Sequence, residues 1–267
     1  MSPSVAESDL SAEQFQEISR TVYEIAGIQL PKGKEGLVRS RLAKRLRATG
    51  TGTYDTYLAR VRDRASGELA EMVDALTTNK TDFYREPAHF EFLKARVLPT
   101  LGKTIRIWSA GCSTGEEPYT LGMVLRDALP DLARRDVKIL ATDISRRVLA
   151  HAKAATYAEG PVSEVGAEGL RRHFTRTAAG WEVSPAVRSL VTFASLNLMG
   201  AWPMRGPFQA IFCRNVMIYF DRPTQQRLVQ RYYELLAPGG HLFVGHSESL
   251  SALQHDFAYV QPAVYRK

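Results

Sequence analysis

The sequence predicts an α/β fold: a largely parallel, doubly wound sheet preceded by an all-helical N-terminal domain and carrying a small inserted β subdomain. Three observations predict it. Residues 1–86 show only the helical spacing of apolar side chains, with Phe15, Ile18, Val22 and Ile25 in one segment and Leu69, Met72, Val73 and Leu76 in another. Beyond "FLKARVLPTLGKT", within 87–267, short β-rich runs alternate with helical segments, as parallel strands joined by crossovers do. Finally, strand, glycine bend and helix follow one another in "IRIWSAGCSTGEEPY", residues 105–119. Open α/β sheets hold ligands at such a bend, at the carboxyl ends of their strands.

The helical domain is broken by "PKGKEG" and "ATGTGTY". Between these breaks, "GLVRSRLAKRLRA" reads as a helix with Val38, Leu42 and Leu46 as its apolar stripe and a basic outer face. Residues 1–86 hold 13 Lys+Arg and 13 Asp+Glu, so the formal net charge of +7 falls entirely on the remainder. The neutral part nevertheless concentrates Arg39, Arg41, Lys44, Arg45 and Arg47 within nine residues. Such a face attracts an acidic partner, or else is simply solvated. The strands are read in "IRIWSA", "VKILATD", "LVTFAS", "FQAIFC" and "HLFVGH", with helices from Glu116, Arg146 and Pro223. Two departures stand out: "HFTRTAAGWEV" (173–183) as a hairpin in an inserted subdomain of about 170–190, and "FAYVQPAVYRK" as a terminal antiparallel pair.

Composition narrows the class. At 267 residues with 45% apolar and 24% charged positions, the chain buries a full core. No window approaches 18 uninterrupted apolar residues, and "MSPSVAESDL" lacks the basic start and apolar run of a secretory signal, so a cytoplasmic protein without membrane insertion is expected. Cys112 and Cys213 are too few for a disulfide framework and lack metal-ligand spacing; both read as buried thiols, and no metal is expected. His246 in "VGHSE" receives no role, since a lone histidine after a strand is usually a satisfied hydrogen-bonding group.

The glycine bend carries the chemistry. Gly111 and Gly115 permit positive φ and close approach of a ligand. No Gly-Lys-Ser/Thr follows and the spacing is not G-x-G-x-x-G, so phosphate binding is disfavoured. Glu116 and Glu117 would repel a pyrophosphate but suit a ligand with a positive group; a first-turn acid is also an ordinary helix cap. Asp143 closes "ATDIS" at a strand's carboxyl edge, where an acid accepts both ribose hydroxyls or caps the next helix. Ribose plus ammonium or sulfonium points to S-adenosylmethionine.

At these residues the sequence resembles the chemotaxis receptor methyltransferases, CheR. The resemblance runs in order through "LTTNKTDFYRE", "WSAGCSTGEEPY", "ATDIS", "LNLM" (196–199), "IFCRNVMIYF" (211–220) and "GGHLFVGHSE" (239–248), and covers nearly the whole chain. It implies a Rossmann-like class I methyltransferase sheet. It further implies methyl transfer from S-adenosylmethionine to glutamate side chains on the cytoplasmic helical bundle of methyl-accepting chemoreceptors, leaving S-adenosylhomocysteine. Carried over by position, the cofactor contacts are Asn79, Thr81, Arg85, Glu117, Asp143, Asn197, Leu198, Arg214 and Asn215. Glu117 would meet the methionyl ammonium, Asp143 the ribose, and the segment of Asn197 the adenine. Tyr219 and Arg85 would lie near the transferring methyl as catalytic residues, although an aromatic at a strand end also simply packs on the sheet. The basic stretch Arg39, Arg41, Lys44, Arg45 and Arg47 would dock the receptor.

The chemistry implied needs little acid–base help, because a glutamate carboxylate of pKa about 4.3 is already ionised near neutrality. Alignment and exclusion of water are the larger requirements. Family members that tether to a receptor tail peptide carry a longer hairpin loop than "RTAAGWE", so a tether-independent enzyme is expected; with no extended apolar repeat for association, a monomer is expected as well. An RNA methyltransferase would show an Asn/Asp-Pro-Pro-aromatic motif where "RNVMIYF" stands, and nucleic acid is not expected as a partner. A non-catalytic cofactor sensor is the other alternative.

Overall fold

The computed structural model describes residues 9–267. Most of "MSPSVAESDL", read above for a signal, lies outside that range. The chain forms two compact units, one ending at Thr78 and one running from Asn79 to Lys267.

The first unit consists of four helices: α1 (Ala12–Ala26), α2 (Glu35–Thr49), α3 (Tyr54–Arg62) and α4 (Glu68–Leu76). Local chemistry sets their ends. Ser11 and Gln14 form a reciprocal capping box at α1, and Thr53 with Thr56 does the same at α3. Gly27 and Gly50 end α1 and α2 in the left-handed conformation. Phe15, Ile18 and Val22 are buried as the spacing predicts, but α1 completes its inward face with Ala26 and leaves Ile25 exposed. On α4 the inward position is taken by an acid, Glu68, rather than by half-buried Leu69. That carboxylate is only 4% exposed because Arg45 of α2 grips it with two bonds, Nε at 2.8 Å and Nη2 at 2.7 Å, and the Tyr57 hydroxyl donates at 2.9 Å.

The second unit holds a seven-stranded sheet of spatial order β6-β2-β1-β7-β8-β10-β9. Its strands are β1 (Thr104–Ala110), β2 (Asp136–Asp143), β6 (Val191–Ser195), β7 (Phe208–Cys213), β8 (Leu236–Val244), β9 (Ala258–Gln261) and β10 (Val264–Arg266). The first five are parallel, and the terminal pair β9 and β10 is antiparallel. Because β1, β2, β7 and β8 run the same way, Ala110, Asp143, Cys213 and Val244 finish at one edge of the sheet, and the loops beyond them converge there. The unit's helices are α5 (Ala88–Phe92), α6 (Glu116–Ala128), α7 (Arg146–Ala154), α8 (Glu159–Val162), α9 (Gly166–His173), α10 (Pro185–Arg188) and α11 (Arg222–Leu235), and those beginning at Glu116, Arg146 and Arg222 are among the crossovers. Between β2 and β6 the chain inserts a three-stranded sheet, β3 (Thr156–Tyr157), β4 (Phe174–Thr177) and β5 (Gly180–Val183), in the order β3-β5-β4. Phe212 stacks on Phe243 at 4.2 Å between centroids in the main core.

The compact units divide at Thr78 and Asn79, earlier than residue 86, where the periodicity changes. Hydrogen bonding explains the difference. The Asn79 carbonyl accepts from Ser113 Oγ at 2.8 Å and Glu86 pairs with Arg214, so the segment between them belongs to the sheet-bearing unit.

Candidate functional site

The glycine bend is shaped by what a side chain there would strike. Gly111 sits at φ +90°, and a Cβ on it would come within 2.4 Å of Val216 Cγ2 in the loop after β7. Gly115, at φ +99°, heads α6 against Ala152 and the Tyr157 hydroxyl, each 2.9 Å from where its Cβ would be. The N–H groups of Gly111 and Cys112 both donate to the Thr142 carbonyl, at 2.8 and 2.9 Å, which fixes the bend to the end of β2. Asp143 sits beside it. Its Oδ2 accepts from Ser113 N at 2.8 Å and its Oδ1 from Ser145 N at 2.9 Å. Helix-side hydrogen bonding is therefore present at both carboxylate oxygens.

The two adjacent acids part company. Glu116 folds back onto Thr114, whose hydroxyl donates to both carboxylate oxygens at 3.0 and 2.7 Å, and burial pushes its carboxyl up to about 7. Glu117 instead turns toward the strand ends, accepting from Ser109 Oγ at 2.7 Å and from Arg214 Nη1 at 3.1 Å. Burial raises the Glu117 carboxyl, while Arg214 and Ser109 counter that rise.

Arg214 is the hub. Its side chain is 2% exposed, lies over the Phe90 ring at 5.3 Å, and joins Glu117 to Glu86 Oε2, 3.1 Å from Nη2. Its Nη2 also donates to the Arg85 carbonyl. Burial alone would raise the Glu86 carboxyl, but Arg214 and the His246 N–H outweigh it and hold the group below the ordinary range. Two carboxylates against one guanidinium leave this cluster one negative charge, which suits a cationic ligand group.

The loop after β7 is held by a second acid. Glu248 is 7% exposed and accepts backbone N–H bonds from Gly245 at 2.5 Å, Asn215 at 2.8 Å and Ile218 at 3.1 Å. This clamp fixes Asn215, at φ +58°, and the turn Met217–Tyr219. Asn215 also donates from Nδ2 to Glu86 at 3.4 Å. Tyr219 is half-buried, and its hydroxyl has no hydrogen-bond partner among the described residues. The remaining expected contacts are more loosely placed. Asn197 Oδ1 accepts from Met199 N at 2.9 Å, and Leu198 is buried while its carbonyl accepts from Arg231 at 2.8 Å. Thr81 is half-buried, and Arg85 donates from Nη1 to the Lys80 carbonyl at 2.9 Å. Sequence reasoning gave no role to Glu86 or Glu248. Each is the acid that ends one of the quoted motifs, the one signal that could have drawn attention to it.

The basic helix α2 does not offer all five of its cations. Arg39, Lys44 and Arg47 are exposed, and among the described residues Arg39 pairs only with the 92% exposed Asp9. Arg41 instead donates to the carbonyls of Leu76 and Thr77, at 2.7 and 2.9 Å, and to Thr78, closing the end of α4. Arg45 is committed to Glu68 and Glu71. The expectation that all five bases face a partner is corrected for these two, whose guanidinium groups are spent inside the helical unit.

Comparison with known proteins bears on the whole chain. Residues 13–77 match the family model described as CheR methyltransferase, all-alpha domain, and residues 79–265 match CheR methyltransferase, SAM binding domain. A probable chemotaxis protein methyltransferase of Rhizobium etli is 41% identical over 257 residues, covering 92% of this chain and 96% of that one. The chemotaxis protein methyltransferase of Escherichia coli is 40% identical over 262 residues, covering 96% and 91%. Chemotaxis protein methyltransferase 2 of Pseudomonas aeruginosa is 42% identical over 260 residues, covering 95% and 92%. The glycine bend, the strand-end acid and the net negative cluster fit S-adenosylmethionine as the cofactor of this S-adenosylmethionine-dependent enzyme. With both of its units matched in order, the chain belongs to the CheR methyltransferase family.

Proposed function

We propose that this chain methylates glutamate side-chain carboxylates of chemoreceptors in the cytoplasm, forming methyl esters and S-adenosylhomocysteine in the service of chemotactic adaptation. The observation that carries the reading is the Glu117–Arg214–Glu86 chain, anchored at the converging strand ends beside Asp143. Glu117 would receive the methionyl ammonium, Asp143 the ribose hydroxyls, and Asn197 and Leu198 the adenine. Asn79, Thr81, Arg85, Arg214 and Asn215 complete the surround. Bound there, S-adenosylmethionine supplies an electrophilic methyl group on a sulfonium centre.

The protein's own task is alignment. A substrate carboxylate with a pKa of about 4.3 arrives ionised, so no residue need remove a proton from it. The Tyr219 hydroxyl, with no partner among the described residues, can donate to that carboxylate, and Arg85 has donors left over after its bond to Lys80. Glu248 holds the backbone N–H groups of Asn215 and of Ile218, the residue before Tyr219, and so keeps Tyr219 in register with Asn215. Reacting atoms held at roughly 3 to 3.5 Å make up most of the catalytic advantage such a site can give.

Substrate docking is assigned to the exposed cations of α2: Arg39, Lys44 and Arg47. These suit the acidic surface of a receptor's helical bundle. Arg41 and Arg45 are left out. The hairpin β4–β5 is joined by residues 178–179 alone, which supports action without a receptor tail tether. The test is transfer of tritiated methyl to cytoplasmic receptor fragments from the same organism. Label released as methanol by mild alkali is expected; base-stable label, or none despite cofactor binding, would overturn the substrate assignment.

A further inference from the structure

Glu86, His89 and His246 each bring one ligand atom to a common point, and the three atoms lie within 4.8 Å of one another. His89 is the anomaly. Its side chain is 1% exposed, and neither ring nitrogen has a hydrogen-bond partner. A buried polar group left unmade is costly, and native structures rarely leave one unexplained. Nδ1 stands 3.4 Å from Glu86 Oε2 without forming a hydrogen bond. The ring is held edge-on by Phe243 at 5.7 Å and by His246 at 5.1 Å between centroids. His246 is exposed and donates its backbone N–H to Glu86 Oε1 at 3.2 Å, so the cluster opens to solvent through its third member.

We propose that these three residues form an inhibitory binding site for a borderline-soft divalent cation of the Zn²⁺ and Co²⁺ type. Two imidazoles and one carboxylate with an open fourth position are a common donor set for such ions, whereas Mg²⁺ and Ca²⁺ prefer oxygen ligands throughout. Both thiols of the chain are buried elsewhere and do not compete. Arg214 defines what occupation does. Its Nη2 lies 3.1 Å from the same Glu86 carboxylate, so a cation there must share or displace it. The site is therefore weaker than a structural zinc centre, and filling it loosens the pairing that also steadies Glu117. Metal and cofactor each lower the other's affinity, by the reciprocity of coupled sites.

The inhibitory part rests on the methyl-transfer reading; the binding part does not, and the experiment separates them. Zn²⁺ is titrated into the full chain against a chromophoric chelator, and Co²⁺ is followed by its visible spectrum. One equivalent is expected. His246→Ala, a change to an exposed side chain, is expected to lower affinity at least tenfold while leaving metal-free transfer unchanged. His89→Phe, which keeps the buried ring, gives an independent check in the same direction. Added Zn²⁺ should slow transfer by the original chain and not by His246→Ala. Failure to bind one equivalent, or equal binding by His246→Ala, overturns the site. Stoichiometric binding without any change in transfer rate overturns the inhibition and leaves the site standing.

Discussion

Replacing Arg45 separates two readings of the same helix. If Arg45 were a docking cation, Arg45→Ala would weaken receptor binding and leave the fold intact. The structure points the other way. The guanidinium is the bidentate partner of Glu68, a carboxylate 4% exposed, and is itself 25% exposed. Removing it strands that carboxylate with only the Tyr57 hydroxyl as partner. Breaking a buried pair from one side costs about 3 to 5 kcal/mol, and the partial exposure of Arg45 argues for the lower end, about 3 kcal/mol. For a unit of this size each kcal/mol lowers the melting temperature by roughly 4 to 8 °C, so a fall of more than about 10 °C in the helical unit's transition is expected. The Glu68 carboxyl is held below its ordinary value: burial opposes ionisation, but Arg45 and Tyr57 outweigh it. This contribution is therefore present above the carboxyl's unfolded value of 4.5 and is lost as the pH falls through the depressed folded one. Thermal unfolding of the full chain, followed by circular dichroism with and without the substitution, is the assay. A melting temperature unchanged within about 2 °C, together with a raised receptor KM, would refute the reasoning.

The remaining predictions concern the same two units. Lys44→Ala with Arg47→Ala should raise the receptor KM severalfold and flatten its salt dependence with no change in melting temperature, as steady-state kinetics at two ionic strengths would show. Arg214→Lys keeps one charge but cannot span Glu117, Glu86 and the Arg85 carbonyl at once, so cofactor affinity measured by calorimetry should fall at least tenfold. Tyr219→Phe removes a hydroxyl with no partner among the described residues, so stability and cofactor affinity should hold while kcat drops about tenfold, the value of one lost hydrogen bond to an ionised group. For Glu116, the folded value of about 7 lies above the ordinary 4.5, so the folded chain holds a proton that the unfolded chain releases between those values. Stability from this group is full below pH 4.5 and lost as pH rises through 7, by up to about 3 kcal/mol. Glu116→Gln should flatten that decline in urea midpoints taken at pH 5 and pH 8.

Much of the sheet could be read from the sequence because its signals are local. β-branched runs, glycine bends and helix starts each announce themselves within a dozen residues, and Asp143 was visible as the last residue of its strand. What stayed hidden depends on partners far away in the chain. Glu86 and Arg214 are 128 positions apart, and no spacing rule joins them. Charge type was legible on α2 but charge availability was not, since Arg41 and Arg45 find their acceptors on α4 or just beyond it. The pair Glu116 and Glu117 looked like one feature in sequence; a single helical step of about 100° sends the two side chains to different surroundings.

Glu248 holds Asn215 and Ile218 by their main chains, and between them and Phe220 lies Tyr219. On the roles proposed for Asn215 and Tyr219, recognition of the methyl donor and orientation of the acceptor hang from a single fixed point. An engineer seeking a different acceptor cannot shift Tyr219 by loosening this anchor without also disturbing how the donor is retained. New specificity would have to come from residues outside the span 215–219, so the loop itself sets a limit on how the enzyme can be diversified.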